Sequence, residues 1–243
     1  MAQVSPSAAT AAAGRRRLAA LPAVVVLAGA LLAGCSSERH RPDTGEPGQA
    51  PPPSASPTAL SPGTAALSVA LLTTAQLPAG YVRTAQRNEP PTRSDRPGCV
   101  RALNALESSR STRPGAVEAR VTFARSRSGL FLQQVLRRLP GSGARQDLRQ
   151  AVSALSGCAE FSLGWSDGTT GTERVVPHGS AGIGDTSWHA TVTATTGSFT
   201  VRETLVLVVV RKTLLVISDA GSPTAPERSR TLALARTAVS RIP

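Results

Sequence analysis

At 243 residues the chain has room for one substantial domain or two small ones, and its 40% hydrophobic content is ordinary for a globular fold. Basic residues outnumber acidic ones 27 to 15, for a formal charge of +12, which makes nucleic acid the first partner to consider. Composition argues against that class, because Lys212 is the only lysine and the arginines are scattered, without a dense basic block or interleaved aromatics.

Arg15, Arg16 and Arg17 precede an apolar run from Leu18 to Leu31. A positive region followed by an apolar stretch too short for a comfortable membrane span is the pattern of an export signal. The run ends in Leu32-Ala33-Gly34-Cys35, which resembles the lipobox of bacterial lipoproteins: an apolar residue, two small residues, then the cysteine that receives diacylglycerol. The resemblance implies a signal peptide over residues 1–34, cleavage before Cys35, and a lipid on its sulfur that holds the protein at the outer face of the cell membrane. Without the three leading arginines the charge falls to +9, still a sign drawn to anionic headgroups and acidic wall polymers.

From Cys35 to about residue 64, Pro42, Pro47, Pro51, Pro52, Pro53, Pro57 and Pro62 lie among Ser, Thr, Ala and Gly. Such a stretch cannot bury enough apolar surface to offset chain entropy and is expected to be a disordered tether, with His40 solvated in it. At about 3 Å per residue it reaches up to roughly 80 Å when fully extended.

The folded part is expected over residues 65–243. Leu71 to Pro78 reads as a short helix stopped by Pro78 and Gly80, after which Gly80 to Ala85 starts a sheet. Leu103 and Leu106, four and seven residues after Cys99, predict a helix, and the alternation Val117, Ala119, Val121, Phe123 predicts a half-buried strand. Leu132, Val135, Leu136 and Leu139 share one helical face, and Leu148, Val152 and Leu155 repeat the arrangement up to Gly157, with Gly141-Ser142-Gly143 as a hinge between the two helices. Strands follow at Cys158 to Trp165, Thr170 to Val176, Ser187 to Thr195, Phe199 to Val210 and Thr213 to Ser218. The uniformly apolar Leu205 to Val210 is expected mid-sheet with both faces covered. Thr224-Ala225-Pro226-Glu227 matches a capping box for a last helix with the stripe Leu232, Ala235, Val239, Ile242. This order predicts an α+β domain: a mostly antiparallel sheet with helices on one face.

With Cys35 lipidated, Cys99 and Cys158 remain, and export favours a disulfide between them, closing a loop of about 60 residues. The alternative, a thiol nucleophile, needs a nearby base, and neither cysteine has a second Cys or His at metal-ligand spacing.

The lipobox, the Pro/Ser tether, Leu71-Leu72-Thr73-Thr74-Ala75-Gln76-Leu77-Pro78, the helix begun at Cys99, the strand Val117 to Phe123, Cys158, the Gly184-Asp185 step and the last helix together resemble the PknH-like extracellular sensor domain of actinobacteria. The resemblance covers about residues 65–243. It implies a twisted antiparallel sheet flanked by helices, with a cleft for an unidentified ligand, in a form that here is a free-standing lipoprotein without a kinase domain. Several relatives have two disulfides, and this chain lacks the cysteines for one of them.

His178 and His189 flank Asp185, and a catalytic or metal reading would pair them with Glu203 or Ser187. No His-x-x-x-His spacing, Gly-x-Ser-x-Gly elbow or paired-carboxylate motif accompanies them, and Asp185 after Gly184 reads as a turn residue. Gly141-Ser142-Gly143 lacks the lysine and preceding strand of a phosphate loop. Tyr81, Trp165, Trp188 and His189 are the candidate cleft liners, against core burial as the commoner fate of aromatics. The sequence thus leads to a non-catalytic module, without cofactor or metal, that binds a small-molecule or envelope ligand. The alternative is an interaction protein whose basic face docks acidic wall polymer or another membrane protein.

Overall fold

The computed structural model describes residues 60–85, 90–107, 111, 113–126 and 131–243; the signal peptide, Cys35, His40 and the tether up to residue 59 lie outside them. Four helices, α1 (Pro62–Ser68), α2 (Pro97–Glu107), α3 (Gly143–Leu155) and α4 (Arg228–Ser240), accompany eight strands among the described residues. The strands are β1 (Val82–Thr84), β2 (Val117–Ala124), β3 (Phe131–Arg138), β4 (Phe161–Gly164), β5 (Thr170–Gly179), β6 (Thr186–Thr196), β7 (Phe199–Val210) and β8 (Thr213–Gly221). They form one open sheet in the order β1-β2-β3-β8-β7-β6-β5-β4, with every neighbouring pair antiparallel.

The apolar run of β7 lies in the middle of this sheet, as its composition requires, and Leu205 to Val209 are fully buried. Successive side chains of a strand point to opposite faces. Leu205, Leu207 and Val209 therefore join Leu214 and Val216 of β8 in one core with Leu103, Leu106, Leu148 and Leu155 of α2 and α3. Val206, Val208, Leu215 and Ile217 join Leu67 of α1 and Leu234, Ala235 and Ala238 of α4 in a second core. Helices consequently cover both faces, which corrects the expectation of one. Short connections specify strand pairing but say nothing about which face a crossing helix takes, and a strand apolar on both sides needs two covers. Among the described residues every strand pairing and both cores lie within residues 60–243, which fall in a single compact unit.

The helix predicted from Leu132, Val135, Leu136 and Leu139 is instead strand β3. Leu132 and Leu136 enter the α1/α4 core, and Val135 and Leu139 the α2/α3 core. A strand buried on both faces has no polar-apolar alternation, so spacings of three and four residues imitate a helical stripe. Gly141-Ser142-Gly143 accordingly joins a strand to α3, with Gly141 at φ +58.

Helix α1 begins within the stretch that composition assigned to the tether. Ser61 caps α1 through its side chain and Pro62 occupies the first turn, where a missing N–H costs nothing. Leu71 to Pro78 holds only a single 3-10 turn, Thr74–Gln76. The capping box at Thr224 does not form: α4 starts at Arg228 behind Glu227, and its inner face is Thr231, Leu234, Ala235 and Ala238, with Leu232 and Val239 only partly buried. Asp219, completely buried on β8, sets this register by accepting hydrogen bonds from Thr231 Oγ1 at 2.7 Å and Arg230 Nη2 at 3.0 Å. Asp219→Ala is expected to destabilise the domain by about 2–3 kcal/mol in urea titration, because it removes the charge-assisted bond to Arg230 and the buried bond to Thr231 that hold the first turn of α4.

Cys99 and Cys158 form the expected disulfide, at a sequence separation of 59. Replacing both by alanine is expected to lower stability by roughly 4 kcal/mol in the same assay.

Candidate functional site: the groove between the second and third helices

The disulfide joins the first turn of α2 to the segment just after α3, with the two Cα atoms 5.8 Å apart. Arg96 Nη1 donates to the Gly157 carbonyl at 3.1 Å across the same junction, and Asp95 Oδ1 accepts the Ser162 amide at 2.7 Å. The opposite end of α2 is held by charge. Arg137 Nη1 donates to the Ala105 carbonyl and Arg120 Nη1 to the Glu107 carbonyl, each at 3.1 Å, so two guanidiniums meet the negative end of the helix dipole. Both are fixed by Glu118, whose oxygens accept from Arg120 Nη2 at 2.6 Å and Arg137 Nε at 2.8 Å. Burial alone would raise the Glu118 carboxyl, but these hydrogen bonds and charges outweigh it and hold the group below its ordinary value.

With its ends pinned, α2 leaves a groove of about 910 Å³ against α3, within the size range of small-molecule sites. Ala102 and Ala105 of α2 face Ala151 and Ala154 of α3 across it, with Leu106 and Leu214 completing the apolar wall. Alanine at these four positions removes the bulk that would otherwise fill the space. Arg101, Arg113, Arg137 and Asp147 supply the polar lining. Arg113 is engaged with Asp147 at 2.6 Å and Arg137 with Glu118, whereas exposed Arg101 has no partner among the described residues. An apolar slot with a free guanidinium suits a ligand that combines an apolar body with an anionic group.

On the same face of the sheet, Glu203 of β7 and Glu173 of β5 stand near Glu107 at the end of α2. Burial and the Glu203 charge push Glu173 up to about 7; burial, then the charges of Glu203 and Glu173, push Glu107 well up, and burial raises Glu203. Among the described residues no group of three or more His, Cys, Asp or Glu is arranged to hold a metal ion. A carboxyl raised in the folded state adds stability that is complete below its unfolded value and is lost as pH rises through the folded one. Glu118, being lowered, acts oppositely: its contribution is lost as pH falls through its folded value. The melting temperature is therefore expected to be several degrees higher near pH 5.5 than near pH 8 in scanning calorimetry, with Glu173→Gln removing part of the difference.

The four candidates named from sequence do not meet in one cleft. Trp188 is buried in the α2/α3 core with Trp165 packed at its margin, and Tyr81 is buried in the α1/α4 core. His189, on β6 next in sequence to Trp188, points to the opposite face, where its Nδ1–H donates to the Gly179 carbonyl at 3.1 Å and its ring lies 5.2 Å from that of His178. None of them lines the groove. Glu203 lies on the face away from His189. Ser187 accepts the amides of Ala181 and Ile183, both at 3.2 Å, and Asp185 accepts the Arg211 amide at 2.8 Å, so both organise turns. The residues that sequence reading missed are the four alanines: Ala151 is buried on the inner stripe of α3, Ala102 is half-buried, and Ala105 and Ala154 are exposed, so no apolar periodicity marks them as a set.

No protein-family model and no curated protein matches the chain. Among solved structures, the extracellular domain of PknH from Mycobacterium tuberculosis superposes with a TM-score of 0.58 at 13% identity, over 74% of this chain and 95% of that one. An Rv0999 ortholog from Mycobacterium smegmatis gives a TM-score of 0.40 at 12% identity, over 72% and 96%. The chain shares the fold of the PknH extracellular domain.

Proposed function

We propose that this protein is a membrane-anchored, non-catalytic binding module on the outer side of the cell membrane, and that the groove between α2 and α3 holds its ligand. The observation that carries this reading is the alanine-walled space of about 910 Å³ with Arg101 at its margin. Its location is supported by the fold shared with an extracellular domain, by a disulfide of the kind that persists in oxidising compartments, and by the lipobox-like Leu32-Ala33-Gly34-Cys35. The anchor assigned here is the lipid on Cys35, on the strength of the lipobox-like pattern that precedes it.

Native mass spectrometry of protein prepared from several hosts is expected to show a co-purified anionic amphiphile. Ala105→Phe and Ala154→Phe, at exposed positions lining the groove, are expected to abolish it while circular dichroism stays unchanged. A clean apo mass from every host would count against the groove as a ligand site. For the anchor, metabolic labelling with a clickable fatty acid is expected to mark the wild type and spare Cys35→Ser; equal labelling of the two would remove the anchor.

A further inference from the structure

The end of the sheet that carries the β7–β8 turn gathers cations from several elements. Arg138 closes β3 and pairs in register with Thr213, the residue after Lys212. The Lys212 carbonyl accepts the Leu139 amide at 2.9 Å, which ties the turn to the start of the connection to α3. Arg145, in the first turn of α3, places Nη2 3.5 Å from the Asp185 carboxylate that also accepts the Arg211 amide.

The neighbouring acids do not neutralise this cluster. Asp185 is shared as described, Asp147 is engaged by Arg113, and Glu118 is held between Arg120 and Arg137. The side chains of Arg138, Arg211 and Lys212 have no partner among the described residues, and Arg145, Arg211 and Lys212 are exposed. Arg211 also sits at φ +56, in the left-handed region that favours glycine, and every other described residue with positive φ is a glycine. The tip of the central hairpin thus carries an arginine where glycine would be conformationally easier.

The chain enters the domain at this same end. A Cβ on Gly63, in the first turn of α1, would lie 3.0 Å from Val117 Cγ2, and Val117 pairs with Arg138. A domain tethered through the residues before α1 therefore has its basic end beside its attachment.

We infer that this end of the sheet, with Arg138, Arg145, Arg211 and Lys212, is a docking surface for an anionic lipid bilayer. The inference rests on the membrane anchoring proposed above. A Pro/Ser-rich tether of the kind expected from composition would not orient the domain, whereas three unpaired cations and a fourth against one carboxylate do so once the domain approaches the headgroups.

Flotation of residues 36–243, which lack the lipid, tests the surface directly. Vesicles of phosphatidylcholine with about one third phosphatidylglycerol are expected to carry the protein at low ionic strength, and less so at physiological salt, while pure phosphatidylcholine does not. Arg211→Gly with Lys212→Ser suits a two-residue hairpin turn whose first residue alone has positive φ, and is expected to reduce partition roughly thirtyfold, at about fivefold per charge. Arg174→Gln with Arg202→Gln removes equal charge beside Thr193, toward the other end of the sheet, and is expected to cost less than about threefold.

Equal losses in the two variants, equal partition into neutral vesicles, or retention on an acidic polysaccharide without vesicle binding would overturn the docking surface. Absence of acyl label at Cys35 would overturn the anchoring instead, and labelled protein whose vesicle binding ignores the turn overturns the docking surface alone.

Discussion

Leu205 to Val209 and Leu214 to Ile217 are withdrawn from water on both faces of the sheet, and the rest of the fold answers that constraint. Burial of a large aliphatic side chain stabilises by about 1.5–3 kcal/mol relative to exposure, so two adjacent strands of this composition need cover above and below. α1 and α4, from the two ends of the described chain, cover one face, and α2 and α3, from its middle, cover the other. Glu203 and Thr204 of β7 and Ser218 and Asp219 of β8, polar residues that these central strands do carry, follow one another outside the apolar runs, toward one end of the sheet.

The two faces secure their helices differently. On one, the buried carboxylate of Asp219 holds α4 by its first residues, and the apolar stripe follows from that contact. On the other, α2 is fixed at its two ends, covalently at Cys99 and electrostatically where Arg120 and Arg137 meet its last carbonyls. A helix held at its ends need not fill its middle with large side chains. The alanines there line an open space of about 910 Å³.

Charge is distributed with the same economy. Glu118 is stabilised as a carboxylate by two guanidiniums, while Glu107, Glu173 and Glu203 share a buried region and are pushed toward their neutral forms. The first arrangement positions a helix and the second ties stability to pH. Arg101 at the groove margin and Arg138, Arg211 and Lys212 at the end of the sheet where the chain enters are without a partner among the described residues, and they lie apart from both arrangements.

The pattern of residues alone determined the α+β class, the mid-sheet place of β7, the strand β2, the helices begun near Cys99 and ended near Gly157, and the Cys99–Cys158 pairing. Each of these follows from local periodicity, a uniformly apolar run, or there being just two cysteines left to pair. Tertiary structure decided what depends on partners distant in sequence. β3 reads as a helix until both of its faces are known to be buried, since burial on two sides erases the alternation that marks a strand. The start of α4 belongs to Asp219 on β8 rather than to Thr224. The division of helices between two faces, the groove walled by Ala102, Ala105, Ala151 and Ala154, and the meeting of Arg138, Arg145, Arg211 and Lys212 at one end of the sheet arise from strand register and helix placement, which no local spacing encodes.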